Sequence, residues 1–238
     1  MQESILVFSD GASKGNPGPG GWGAIVATKD HVVELGGKEA HTTNNRMELV
    51  AATEALRNAH ALSENAPIVV HTDSAYVIQG IVKWVAGWKR RGWVTQKNEP
   101  VLNRELWEDL SAVVEGHAGK IEWEHVGGHV GVVGNERVDE IASGFAEGGE
   151  VALYHGPRKE YTRAIEDISH NQQKKEARSK SKSRSRGKAY SYVSAVDGSV
   201  VVHQTWAECE ARVKGKMARF KKALSKEEEA RIIAEFSK

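Results

Sequence analysis

Residues 68–84 read IVVHTDSAYVIQGIVKW. The β-branched run Ile68–His71 has the composition of a buried strand, and Ala75–Trp84 behind it reads as a helix. Asp73 stands at the junction between them. The stretch ILVFSDG, residues 5–11, has a similar form: the apolar strand Ile5–Phe8 runs into Asp10-Gly11. If these strands are parallel neighbours, Asp10 and Asp73 emerge at one sheet edge, where open α/β sheets bind ligands.

Working outward, Gly23–Thr28 and His31–Leu35 read as two more strands joined by a Lys29-Asp30 turn. Asn45–Ala61 carries Met47, Val50, Ala51, Leu56 and Ala59 at helical spacing. A helix is predicted from Pro100 through Val114, a strand over Ile121–Val126, and a last helix over Glu136–Phe145. Three early strands followed by helix–strand alternation predict an α/β fold, a mixed sheet flanked by helices. Gly18-Pro19-Gly20-Gly21-Trp22-Gly23 matches the dinucleotide-binding pattern G-x-G-x-x-G, but that motif needs a helix next. Here the strand-like AIVAT follows, so the glycines and Pro17 and Pro19 are read as a fixed hairpin connection.

The 238-residue chain is 39% hydrophobic and has one cysteine, Cys209, which excludes an internal disulfide framework and a thiolate zinc site. No apolar run reaches the ~20 residues of a membrane span, and the start lacks a signal-peptide pattern. A soluble, cytoplasmic protein is expected. The net charge of +1 hides a split: residues 1–150 hold thirteen basic and twenty-one acidic side chains, residues 151–238 twenty and eleven. Such asymmetry points to a nucleic-acid or membrane-binding part joined to something else.

Residues 1–150 are read as one acidic domain and 151–188 as a disordered basic linker, centred on KKEARSKSKSRSRGK at 174–188. Residues 189–238 are read as a small α+β module. In it, YSYV and SVVVH form a hairpin about Asp197-Gly198. Thr205 caps a helix through Val213 with Glu208 at capping-box spacing, and Ser225 caps the last helix.

Each acidic candidate has an ordinary explanation. Asp10 suits a turn, Glu48 could be the return half of a cap with Asn45, Asp73 could cap its helix, and Asp139 could lie on a solvated helix face. Their joint placement argues otherwise, since four clustered carboxylates repel and need cations. Oxygen-only ligands select Mg²⁺ or Mn²⁺, and paired metals of this kind serve in-line phosphoryl transfer. His129, in GGHVGVVG, suits a proton-transfer role. Trp84, Trp88 and Trp93 interleaved with Lys83, Lys89, Arg90 and Arg91 suit a polyanion-tracking surface.

FSDGASKGNPGPGGWGAI, TTNNRMEL, HTDSAYV, WKRRGW and GGHVGVVGNERVDEIA resemble, in order, the motifs of the type 1 ribonuclease H family over about residues 4–146. The resemblance implies a five-stranded mixed sheet and hydrolysis of the RNA strand of RNA–DNA hybrids with two Mg²⁺ ions. It implies metal-binding carboxylates Asp10, Glu48, Asp73 and Asp139 and a catalytic loop histidine, His129. It also implies hybrid contacts from Asn16, Asn44 and Asn45, with a basic protrusion made of Trp84, Trp88, Lys89, Arg90 and Arg91. Ala75 stands where the family commonly has Gln. Residues 190–236 resemble the viroplasmin-like hybrid-binding domain, implying contacts from Tyr192, Trp206, Phe220, Lys221 and Lys222. Ser194-Ala195-Val196-Asp197 replaces that family's basic first loop.

The expected partner is an RNA–DNA hybrid, bound by a monomer with no obligate protein partner and no membrane. A catalytically idle hybrid binder and a metal-dependent DNA nuclease are the competing readings. Four clustered acids argue against the first.

Overall fold

The computed structural model describes residues 4–127, 131–166 and 189–237. His129 and the serine–lysine–arginine stretch lie outside the described residues. The chain divides into two compact units, Met1–Gln172 and Gln173–Lys238. No helix among the described residues is long and apolar enough to cross a membrane.

In the first unit β1 (Ile5–Ser13), β2 (Gly18–Ala27) and β3 (His31–Thr42) form an antiparallel meander. Helix α1 (Asn44–Leu62) leads to β4 (Ile68–Thr72), which lies parallel beside β1. Strand β5 (Ile121–His125) adds in parallel to β4, and β6 (His155–Pro157) adds antiparallel to β3. The order is β5-β4-β1-β2-β3-β6.

Side-chain alternation along the strands feeds two cores. Ile5, Val7, Ala24 and Val26 pack with Leu49, Ala52 and Leu56 of α1 and with Trp107 and Leu110 of α4 (Arg104–Gly116). Phe8, Ile25 and Val32 pack in the other core with Val138 of α5 (Val133–Ala146).

Five expectations need correction. The sheet has six strands, not five, because the chain does not leave the domain at residue 150. Residues 151–166, expected to belong to the linker, fold back on the first unit. Tyr154 and Tyr161 pack on one core and Ile165 is buried in it. The apolar content of this stretch is too sparse to show any period, so its contribution is invisible without the surface that receives it.

The glycine-rich connection is mostly strand. β1 and β2 stay paired out to Ser13 and Gly20, leaving only a short turn around Asn16. The helix expected over Ala75–Trp84 is three pieces: α2 (Ala75–Gln79), a π turn (Gly80–Trp84) and α3 (Val85–Arg90). The fully buried Trp107 lies against Gly80 there, so close that a Cβ would sit 1.9 Å from its ring. The helix expected from Pro100 begins instead at Arg104, because Pro100 bridges Val94 and Asn103 adopts a left-handed φ of 57°.

The second unit is a three-stranded sheet, order β8-β7-β9, made of β7 (Ser191–Val196), β8 (Ser199–His203) and β9 (Ala218–Ala223). Asp197 (φ 49°) and Gly198 (φ 74°) are both left-handed, as a two-residue hairpin turn requires. Helix α6 (Trp206–Val213) has the expected capping box, both halves between Thr205 and Glu208 being made. Ser225 caps α7 (Lys226–Phe236). The core is slight: Val193, Ala195, Ala223, Ile232 and Phe236.

Candidate active site

The parallel register of β1 and β4 ends at Phe8 opposite His71. Asp10 and Asp73 each lie two residues further on, so they leave neighbouring strands at the same level and edge. Asp10, a carboxylic acid, is only 8% exposed, and its Oδ1 accepts a 2.8 Å bond from the Gly11 N–H.

The other two carboxylates arrive on helices, and glycines let those helices come close. A Cβ on Gly11 would sit 2.3 Å from the Glu48 backbone nitrogen, and one on Gly23 would sit 2.5 Å from the Val138 carbonyl oxygen. Only a bare backbone at these two positions allows α1 to bring Glu48, and α5 to bring Asp139, against the strand that carries Asp10.

Neither capping explanation holds for the acids. Ser74, not Asp73, caps α2, its Oγ accepting from the Val77 N–H at 3.1 Å. The same hydroxyl donates to Glu48 Oε2 at 2.5 Å, while Asn44 Nδ2 donates to Oε1 at 2.8 Å. Glu48 is thus oriented from both sides and makes no capping bond with Asn45. The Ser74 contribution was not anticipated, although a Ser right after the acid and before a helix is a recognisable cap signal.

The electrostatics record the convergence. Burial pushes the Asp10 carboxyl up to about 8, assisted by Asp73 and more weakly by Asp139 and Glu48, and opposed by the Gly11 N–H. Glu48 is raised by burial and by Asp73, against the bonds from Ser74 and Asn44. Among the described residues no three acidic, histidine or cysteine side chains already meet at one coordination point. The four acids share a field rather than a closed shell, as like charges must without a cation between them. An oxygen-only donor set in which Asp10 and Glu48 resist ionisation suits a hard divalent cation.

A family model for RNase H matches residues 2–147. The chain belongs to the ribonuclease H family. It is 49% identical over 154 residues to the ribonuclease H of Thermosynechococcus vestitus, covering 64% of this chain and 95% of that one. It is 51% identical over 142 residues to the ribonuclease H of Novosphingobium aromaticivorans, covering 60% and 96%. Among solved structures, LC9-RNase H1, described as a type 1 RNase H with the type 2 active-site motif, aligns with a TM-score of 0.56 at 30% identity. That alignment covers 71% of this chain and 85% of that one.

The other candidate contact residues of the ribonuclease H unit are mostly at its surface. Asn16 is exposed at the β1–β2 turn and Asn45 in the first turn of α1. The Trp84 and Trp88 rings lie 5.7 Å apart, tilted against each other, and Trp88 also meets the buried Trp107 at 5.6 Å, so this pair is partly core. Lys83, Trp84, Trp88, Arg90 and Arg91 line one shallow cleft of about 480 Å³. Lys89 is not among its lining residues and is ion-paired with Glu115 of α4 at 2.7 Å.

In the C-terminal unit, strand register separates the matched residues. Tyr192 pairs with Lys222, and Ser194 with Phe220, placing these four on one face. Trp206 bridges the aromatics, its ring 5.6 Å from Tyr192 and 5.4 Å from Phe220, and both Trp206 and Phe220 are exposed. Lys221 pairs with Val193 and faces the opposite side, where it bonds Glu235 at 2.5 Å and lies over the Phe236 ring. Strand alternation therefore places Lys221 on the face opposite the aromatic rings.

Proposed function

We propose that this chain is an endonuclease that cuts the RNA strand of RNA–DNA hybrids, leaving 5′-phosphate and 3′-hydroxyl ends. Asp10, Glu48, Asp73 and Asp139 would hold two divalent cations, Mg²⁺ or Mn²⁺. The observation that carries this reading is the buried Asp10, pushed to about 8 by burial and by the three acids around it. A carboxyl so opposed to ionisation costs stability unless its site receives positive charge. Bound divalent cations supply Lewis acidity toward the phosphate and lower the pKa of water.

The protein's own groups do the positioning. Ser74 and Asn44 fix both oxygens of Glu48 before any ligand arrives. Asn16, Asn44 and Asn45 would read the 2′-hydroxyl side of the hybrid, the group by which RNA differs from DNA. Trp84, Trp88, Arg90 and Arg91, with Lys89 once released from Glu115, would follow the DNA strand. His129 would carry protons to and from the reacting groups, so His129→Ala should slow turnover by about 10²–10⁴-fold without abolishing it.

The C-terminal unit would hold the same substrate through Tyr192, Trp206, Phe220 and Lys222. A cluster of tilted rings with Trp206 and Phe220 exposed suits bases or sugars, and sequence-tolerant binding follows because every base has a π-face.

The deciding experiment compares cleavage of a hybrid, a DNA duplex and an RNA duplex of one sequence in Mg²⁺. Hybrid-only cleavage, confined to the RNA strand, is expected. Cutting of duplex DNA would overturn the substrate assignment, and absence of any cutting would favour an idle binder.

A further inference from the structure

Glu34 of β3 is a carboxylate buried to 4% exposure and belongs to none of the metal-site groups. Both of its oxygens are fully engaged. Arg137 of α5 grips it in a fork, Nε to Oε1 and Nη2 to Oε2, each at 2.8 Å. The Tyr161 hydroxyl donates to Oε1 at 2.7 Å, and the Tyr154 N–H to Oε2 at 3.0 Å. Arg137 Nη2 also donates to the Ala152 carbonyl at 2.8 Å. One buried acid thereby joins three parts of the chain: the sheet, α5 and the segment 152–161 beyond it.

That segment is fixed independently. The Glu34 N–H donates to the Tyr154 carbonyl at 2.7 Å, β6 pairs with β3, and Ile165 is buried against the core that includes Val138. Val138 lies between Arg137 and Asp139. At 3.6 residues per turn, Arg137 and Asp139 leave α5 on nearly opposite sides. Whatever holds Arg137 therefore sets the rotation of the helix turn that presents Asp139.

We propose that Glu34, with Tyr161, is a positioning residue: the segment 152–161 clasps α5 through it and sets where Asp139 stands in the carboxylate cluster. This rests on the reading of Asp139 as a cation ligand. Glu34 touches no substrate. Bidentate geometry matters because a fork fixes the orientation of the guanidinium as well as its distance. A single hydrogen bond would leave the helix free to roll.

The test uses the full chain and three variants, Glu34→Gln, Arg137→Lys and Tyr161→Phe, each checked for folding by circular dichroism at the assay temperature. Two quantities are read: Mn²⁺ affinity by calorimetry without nucleic acid, and the Mg²⁺ concentration for half-maximal hybrid cleavage. Partners one shell removed from a ligand commonly change metal affinity by roughly 10–100-fold. Acting through a helix turn, Glu34→Gln should weaken both by roughly 3–10-fold, with the KM for hybrid unchanged. Arg137→Lys, which keeps the charge and loses the fork, should do the same. Tyr161→Phe should shift both in the same direction by less.

Folded variants with wild-type Mn²⁺ affinity and Mg²⁺ dependence would overturn the proposal and leave the clasp as stabilisation only. If Glu34→Gln and Arg137→Lys fail to fold, Tyr161→Phe decides alone. Absence of Mn²⁺ binding by the wild-type chain would instead defeat the ligand reading of Asp139.

Discussion

The two units handle charge in opposite ways. The first buries carboxylates: Asp10 among three other acids, and Glu34 beneath an arginine. It can do so because α1 and α5 seal both faces of a six-stranded sheet. The second has five buried apolar side chains in its core cluster and leaves Trp206 and Phe220 exposed on its other face. A large core makes a low-dielectric cleft in which charge can be forced into proximity. A small one can offer only a surface. The proposed division follows from this: chemistry in the first unit, grip in the second.

The largest effect that would sharpen this contrast is at Glu34. Its carboxyl is held below the ordinary 4.5: burial raises it, but the Arg137, Tyr154 and Tyr161 bonds together outweigh that. A folded value below the unfolded one gives stability that is complete above pH 4.5 and lost as pH falls through the folded value. Removing one partner of a buried pair costs about 3–5 kcal/mol. Glu34→Gln should therefore lower the melting temperature clearly at pH 7, with the deficit shrinking on acidification toward pH 3. A deficit that does not change with pH would show that the carboxylate charge is irrelevant.

Asp10 should behave in the opposite sense. Its folded value lies above its ordinary 3.8, so the metal-free unit loses stability as pH rises from 3.8 to about 8. Asp10→Asn should stabilise the metal-free chain by on the order of a few kcal/mol at pH 8 and by nothing below pH 3.8. Melting curves in chelator across that range measure it. Destabilisation at pH 8 would contradict the crowded-acid account.

The C-terminal face should respond in binding and not in turnover. Trp206→Ala should cost about 1–3 kcal/mol of hybrid affinity, the range for one base–aromatic stack. Lys221→Ala, on the opposite face and paired with Glu235, should cost under about 1 kcal/mol. Equal losses from the two, in a filter-binding titration, would break the assignment of faces.

Much of this was legible from residues alone. IVVHTDSAYV and ILVFSDG place two acids at strand ends, and the parallel register of β1 and β4 delivers them side by side. The C-terminal hairpin and both caps were readable because turn and capping chemistry is local. What escaped is nonlocal. Gly23 reads as the end of a fixed hairpin connection and the start of a strand, and its close approach to Val138 shows only in the fold. Glu34 sits in a predicted strand and Arg137 in a predicted helix, with nothing local to link them. Only the fold shows them gripping each other 103 positions apart. The segment 151–166 lacked any period to mark it as structure, and its anchors Tyr154, Tyr161 and Ile165 matter only through what they land on. Lys221 and Lys222 look equivalent in sequence, and strand alternation separates them.

The division of labour is tested most directly by steady-state cleavage of one labelled hybrid by three full-length chains: wild type, Asp10→Asn and Trp206→Ala. Hybrid affinity is measured in parallel at one salt concentration. The account predicts that Asp10→Asn loses turnover while binding hybrid nearly as tightly as wild type. It predicts that Trp206→Ala keeps kcat and binds more weakly. Near wild-type turnover in Asp10→Asn, or a kcat lost in Trp206→Ala with affinity intact, would contradict it.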